Sequence, residues 1–132
     1  MTFEQMERHV AAALEAIPGR FRDELSGVAF VIEDAGDREL EVFGEGECLG
    51  LYEGVPKSEY AGDPTGLLPD KITLFRDVML DEAEATGKDP AEIIRHTVWH
   101  EVAHFFGFDE EDAQRLETKW EDRFTEQARI DA

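Results

Sequence analysis

One five-residue segment, His100-Glu101-Val102-Ala103-His104, limits more strongly than any other what this chain can fold into. A helix places residues i and i+4 one turn apart on the same face, so the two histidines can share one metal ion there. Zinc binds neutral imidazole and lowers the pKa of a bound water to about 7. The pattern therefore predicts a zinc site on a helix, with Glu101 as the general base that takes the water's proton.

The residues around this motif are those of a helix with defined ends. Asp89 can act as the N-cap, and Pro90 suits the first helical position. Gly107 is typical of the residue that follows the C-cap. An apolar stripe that would face the core recurs every fourth residue, at Ile94, Val98 and Val102. The sequence predicts a helix over residues 90–106.

Two histidines leave a catalytic zinc site one protein ligand short. The segment after Gly107 carries three carboxylates that could complete it: Asp109, Glu110 and Asp112. Asp109 is the natural N-cap of the next helix, so its carboxylate is expected to accept backbone N–H groups. Glu110, at the first helical position, is free to point back. We predict Glu110 as the third ligand, with Asp109 and Asp112 as alternatives.

Two further side chains could assist such a site. His96 falls one turn before His100 on nearly the same face, where it could relay protons. A histidine at such a position is more often an ordinary surface or hydrogen-bonded residue. Tyr52 ends a predicted strand and could donate to an oxyanion, although a strand tyrosine more often serves packing. Cys48 is expected to be an inert buried thiol.

The remaining sequence divides into a strand-rich part and a helical part. Thr2 and Gln5 form a capping box that begins an amphipathic helix, and Pro18-Gly19 ends it. The patterns then predict a buried strand at 28–32 and two paired strands at 40–43 and 48–52. A long loop at 53–69 and a strand at 71–75 follow. The rest is predicted to be helical, with a helix at 78–86, the motif helix and a last helix capped by Asp109. This segregation favours the α+β class over alternating βαβ units.

The net charge of the chain limits its partners. Thirteen basic residues against thirty-two acidic ones give a formal charge of −19, which repels phosphate backbones and anionic membrane surfaces. We therefore expect neither nucleic acid nor membrane as a partner. The first residues lack the basic and apolar regions of a signal peptide, and a single cysteine cannot form an intrachain disulfide, so we expect a cytoplasmic protein.

Taken together, these motifs resemble the minimal zincin-like metallopeptidases of bacteria, whose pattern is HExxHxxGxxD. The likeness is carried by LGLYEGVP at 49–56, LPDKITLF at 68–75 and residues 96–111, and it covers most of residues 1 to about 118. The resemblance implies a compact α+β zincin-like fold, with a small sheet packed on helices that include the HExxH helix. We expect one domain over 1–132, with about 119–132 as a C-terminal helical extension.

Carried over position by position, the resemblance implies that His100 and His104 bind the metal, that Glu101 is the catalytic acid and base, and that Gly107 makes the turn. Glu110 stands where the family has an aspartate ligand. Glutamate is one methylene longer, so its carboxylate can still reach, or a neighbouring aspartate can bind instead. A Met-turn after the motif is missing, because all the methionines precede it: Met1, Met6 and Met79.

Three functions are compatible with these residues. The leading one is zinc-dependent hydrolysis of peptide bonds in a peptide or protein substrate, with Glu101 moving the proton. The second is a catalytically weak or silent metal-binding zincin-fold module that binds a protein partner. The third is a metal-dependent ribonuclease of the HExxHxxGxxH kind, which is disfavoured because residue 110 is not histidine and the charge opposes RNA. The sequence leaves the oligomeric state open.

Overall fold

The structure, a computed structural model, describes residues 1–36, 49–54 and 70–131. Its elements, in chain order, are α1 (Phe3–Ala16), α2 (Gly19–Arg22), a 3₁₀ turn (Asp23–Leu25), β1 (Ala29–Glu33), β2 (Gly50–Glu53), β3 (Lys71–Phe75), α3 (Arg76–Thr86), α4 (Pro90–Phe105) and α5 (Glu110–Asp131). Within those ranges a small sheet and five helices form the compact α+β fold that the sequence predicts.

Two helices begin at the capping residues that the sequence indicates. In α1 the Gln5 N–H donates to the Thr2 hydroxyl at 3.1 Å, and the Thr2 N–H donates to the Gln5 side chain at 2.8 Å. In α4 the Ala91 N–H donates to Asp89 at 2.9 Å, and proline follows the cap directly. Both caps satisfy N–H groups that a helix start leaves unpaired, so local sequence fixes where these helices begin.

The described strands form a mixed sheet in the order β1-β3-β2. β1 is parallel to β3, and β2 is antiparallel to it, with Phe30 and Tyr52 both opposite Ile72. β3 is the most buried of the three strands, whereas β1 is half-buried with Ala29 exposed. The predicted strand at 28–32 therefore exists, but the prediction that it is buried is wrong, because among the described strands β1 pairs only with β3 and its side chains stay partly exposed.

Helix α4 occupies the centre of the molecule. It packs against α1, α3, α5 and the β2 and β3 strands. Its predicted stripe of Ile94, Val98 and Val102 is buried, and Trp99 donates its indole N–H to the Ala13 carbonyl of α1 at 2.8 Å. Leu116, Trp120 and Phe124 of α5 pack on the same core, and Ala113 of this helix is buried as well. Burial on so many sides holds the motif helix rigidly.

One predicted helix boundary differs from the structure, and several predicted features lie outside the described residues. The helix predicted at 78–86 begins at Arg76, because β3 runs directly into α3 at Phe75 without an intervening loop. The strand expected at 40–43, Cys48 and residues 55–69 of the expected loop lie outside the described residues. Among the helices that the structure describes, none combines the length and apolar character required to cross a membrane.

Candidate metal centre

His100 and His104 lie on the last turns of α4 with their rings side by side. Their Nε2 atoms are 3.0 Å apart, and the ring planes meet at 75°. The two side chains are 29% and 34% exposed. The pair therefore offers two imidazole nitrogens to an accessible position, one helical turn apart, as the HExxH spacing predicts.

The chain reverses immediately after the histidines. Gly107 has a φ of 84°, in the left-handed region that favours glycine. Its N–H donates to the His104 carbonyl at 2.9 Å, and the Phe108 N–H donates to the Ala103 carbonyl at 3.0 Å. These are the two hydrogen bonds of a Schellman motif, which ends α4 and turns the chain toward α5.

The turn brings Glu110 back to the two histidines. Its Oε1 lies 3.1 Å from His104 Nε2 and 3.4 Å from His100 Nε2. The neighbouring carboxylates are engaged within α5: Asp109 accepts the Asp112 N–H at 2.8 Å as the N-cap, and Asp112 accepts from Arg115 at 3.0 Å. Of the three candidate carboxylates, Glu110 is therefore the one placed beside both imidazoles.

The three donor atoms from His100, His104 and Glu110 suit a tetrahedral metal. Zinc bound to nitrogen and oxygen at about 2.0–2.2 Å would separate its ligand atoms by about 3.3 Å, the edge of the tetrahedron. The observed separations of 3.0, 3.1 and 3.4 Å are close to that edge. Two imidazoles and one carboxylate also leave a fourth position open, which is the arrangement of catalytic rather than structural zinc. The donor set therefore fits zinc.

Glu101 is buried beside this cluster, with 8% of its surface exposed. Ligand atoms of Glu101, His100 and His104 all lie within 4.8 Å of one another. Burial raises the pKa of the Glu101 carboxyl above its usual range, although His104, His100 and the Tyr52 backbone N–H act to lower it. A carboxylate whose pKa is raised accepts a proton more readily at neutral pH.

Gly50 lets strand β2 approach helix α4 at Glu101. A Cβ atom at this glycine would lie 2.9 Å from Thr97 Cγ2, 3.2 Å from the Thr73 carbonyl oxygen and 3.3 Å from Glu101 Cγ. Any side chain here would push the strand away from the helix. The glycine of the LGLYEG segment thus allows the backbone N–H of Tyr52, two residues along, to reach the Glu101 carboxylate.

Glu117, on α5, is a residue of the site that the sequence patterns did not single out. Its Oε2 lies 3.0 Å from His100 Nδ1, and its Oε1 lies 3.3 Å from His96 Nδ1. Burial would raise the pKa of Glu117, but hydrogen bonds from His100 and His96 outweigh it and lower the pKa. The Glu117 bond in turn raises the pKa of His100. Its spacing of seven residues from Glu110, two helical turns, is the signal that could have found it.

A sequence profile of zincin-like metallopeptidases matches residues 25–120, more than half of the chain. The chain belongs to the zincin-like metallopeptidase family. The matched range contains the HExxH helix, the turn after it and the half of α5 that carries Glu110 and Glu117. No curated protein matches the chain.

The two accessory candidates, His96 and Tyr52, lie at the edge of the candidate metal centre. His96 contacts Glu117 and lies 3.7 Å from Glu121, with its ring edge-on to Trp99. Tyr52 donates its hydroxyl to Asp70 at 3.2 Å and packs edge-on against Phe105. Its backbone N–H, rather than its hydroxyl, therefore contacts the candidate catalytic residue.

A cavity of about 520 Å³ opens beside His100 and Glu101. His100 and Glu101 line one part of it, and Ile93 and Thr97 line its wall along α4. Three charged side chains are also part of the lining: Glu82, Lys88 and Glu92. The cavity is large enough for a side chain of a bound substrate and reaches His100 and Glu101.

Proposed function

We propose that this chain is a zinc-dependent peptidase in which Glu101 acts as general base and then as general acid. The observation that carries the proposal is the buried Glu101 carboxylate beside three donor atoms with zinc-ligand spacing, two from histidines and one from Glu110. A purely structural metal has no need of a buried carboxylate next to its ligands. The combination therefore favours catalysis over a silent metal-binding module.

The zinc ion would be held by His100, His104 and Glu110. When bound, it would lower the pKa of water toward neutrality and polarise the carbonyl group of the substrate. The chain's own contribution is geometric: α4 sets the spacing of the two imidazoles, and the turn at Gly107 returns Glu110 to them. Three protein ligands would leave one position of a tetrahedral zinc open for water.

Glu101 would move one proton through the reaction. It first takes a proton from the attacking water, whose oxygen forms a bond to the carbonyl carbon. It then gives that proton to the nitrogen of the peptide bond, so that the carbon–nitrogen bond breaks and an amine leaves. The Tyr52 N–H holds the carboxylate in place, and burial raises its pKa, which suits a group that must both accept and release a proton.

The substrate would be a peptide or a protein. The cavity beside His100 and Glu101 is of a size to take one side chain of an extended peptide. The formal charge of −19 opposes an RNA substrate, and the glutamate at position 110 differs from the third histidine of the HExxHxxGxxH nucleases. Both features favour a peptide over a nucleic acid.

A comparison of wild type with Glu101→Gln tests this function. Glutamine has nearly the shape of glutamate but cannot accept the proton, so we expect zinc content and fold to be retained. Cleavage of an unfractionated peptide library, followed by mass spectrometry, should fall by roughly 10² to 10⁴-fold.

The matched control is the double variant His100→Ala and His104→Ala, which should lose both zinc and cleavage. Elemental analysis measures the zinc directly. If wild type yields no products that Glu101→Gln lacks, across several divalent metals and pH values, the enzymatic proposal is wrong. If the double variant keeps its zinc, the assignment of the metal centre is wrong.

A further inference from the structure

Facing rows of imidazoles and carboxylates join α4 to α5. Three histidines recur every four residues on one face of α4: His96, His100 and His104. Glu110 contacts both His100 and His104, Glu117 contacts both His96 and His100, and Glu121 lies near His96. The order of the carboxylates along α5 is the reverse of the order of the histidines along α4. The two helices therefore meet through these side chains in antiparallel fashion.

His100 lies between two carboxylates that approach different ring nitrogens. Glu117 Oε2 is 3.0 Å from Nδ1, and Glu110 Oε1 is 3.4 Å from Nε2. A neutral imidazole carries one N–H and one lone pair, and a carboxylate at one nitrogen favours the proton there. The Glu117 contact is the shorter of the two, so it favours the proton on Nδ1, which leaves the Nε2 lone pair facing His104 and Glu110.

Glu117 is itself held in place. Its side chain is only 15% exposed, and its second oxygen lies 3.3 Å from His96 Nδ1. Each carboxylate oxygen therefore has a histidine partner on α4. By contrast, the side chain of Glu110 is 65% exposed. A half-buried carboxylate with both oxygens engaged has little freedom to rotate, so it can fix the ring that it contacts.

We propose that Glu117 is the positioning residue of the metal centre, which orients the His100 ring and keeps its Nε2 free to bind the metal. The inference rests on the proposed function only in that His100 is a metal ligand. Glu117 acts through His100 and does not touch the reacting atoms. Removing it would leave the zinc ligands in the sequence but loosen one of them.

Zinc affinity measured by competition with a chromogenic chelator tests the inference without any peptidase assay. Loss of an outer hydrogen-bond partner of a metal-binding histidine weakens metal binding by about 10- to 100-fold, and we expect a loss in that range for Glu117→Ala and Glu117→Gln. The matched control is Glu121→Gln, one turn further along the same helix, which lies near His96 and pairs with Arg95. The control should bind zinc within about twofold of wild type.

A second measurement depends on no variant. In the zinc-loaded wild type, nitrogen-15 NMR correlations of the imidazoles should show the His100 proton on Nδ1 and the metal on Nε2. A purely structural ion pair between the helices would not require that tautomer. Circular dichroism of each variant before zinc addition separates a loosened ligand from an unfolded chain.

The outcomes separate this inference from the proposed function. Zinc bound through His100 Nδ1, or Glu117 variants that bind zinc as tightly as wild type, would overturn the role of Glu117 while leaving the peptidase proposal intact. A wild type that binds no zinc would overturn the metal centre itself, and with it both proposals. Weakened zinc binding in the Glu117 variants but not in Glu121→Gln, with the proton on Nδ1, supports the inference.

Discussion

Adjacent acidic residues at the start of α5 have different surroundings. Asp109 is the N-cap, and its carboxylate accepts the N–H of Asp112 at 2.8 Å. Glu110, the next residue, extends toward the two histidines, and its Oε1 reaches both Nε2 atoms within 3.4 Å. The longer side chain of glutamate spans this distance from the first position of the helix. One residue of separation is thus enough to direct one carboxylate to the backbone and the other to the two histidines.

This difference predicts opposite effects for two neighbouring substitutions. Glu110→Ala should weaken zinc binding with little change in the metal-free melting temperature, because its side chain is largely exposed. Asp109→Ala should leave zinc binding nearly unchanged and lower the stability of the metal-free protein by about 1 kcal/mol, the usual cost of a lost N-cap. Calorimetric titration of zinc and thermal denaturation of both variants measure the two effects, and the reverse order would make Asp109 the ligand.

Residues whose roles depend on local spacing could be predicted from the sequence. The pairing of His100 with His104 follows from the helical repeat, and the caps at Asp89 and Gly107 follow from residue type. The spacing of seven residues from Glu110 places Glu117 on the same face of α5, but its contact with His100 could not be predicted, because that contact exists only once α5 has packed against α4. A surface glutamate two turns along a polar helix is ordinarily a solvated residue.

At the scale of elements, the close contact of β2 with α4 determines where Glu101 sits. The sequence predicts a strand near residues 48–52, and β2 is observed at Gly50–Glu53. The sequence also predicts that this strand pairs with residues 40–43, which lie outside the described residues. Its observed pairing with β3 could not be predicted, since that pairing is decided by contacts distant in sequence. The chemical consequence of this packing is that the Tyr52 N–H reaches the Glu101 carboxylate.

Substitution of Gly50 tests this contact between elements. Gly50→Ala would place a methyl group 2.9 Å from Thr97 Cγ2, so we expect a destabilisation of about 1–3 kcal/mol, as for other overpacked cores. The control is Gly27→Ala, where a Cβ would meet no atom within 4 Å and stability should be unchanged or slightly higher. Urea denaturation compares the two variants. Equal stability of both would show that β2 and α4 separate at little cost.

At the scale of the whole molecule, charge is the dominant feature. The chain has thirty-two acidic and thirteen basic residues, so even complete pairing would leave nineteen carboxylates without a basic partner. Ion pairs such as Arg76 with Asp34 and Arg95 with Glu121 use some of the available arginines. Like charges on a compact surface repel one another, and folding brings them closer together than in the unfolded chain. The folded state should therefore be destabilised at low ionic strength.

Added salt is then expected to stabilise the metal-free protein. The screening length falls from about 30 Å at 0.01 M to about 10 Å at 0.1 M, so salt weakens long-range repulsion, while the exposed ion pairs it also weakens contribute only about 0–1 kcal/mol each. The melting temperature should rise by a few degrees, which for a domain of this size corresponds to a gain on the order of 1 kcal/mol in the free energy of unfolding.

The matched variant carries three substitutions, Glu7→Lys, Glu84→Lys and Asp122→Lys. They change exposed acidic residues away from the candidate metal centre and lower the net negative charge by about six units. Its melting temperature should depend less steeply on salt than that of wild type. A wild-type melting temperature that is flat or falls between 0.01 and about 0.5 M sodium chloride would show that local ion pairs outweigh the summed repulsion.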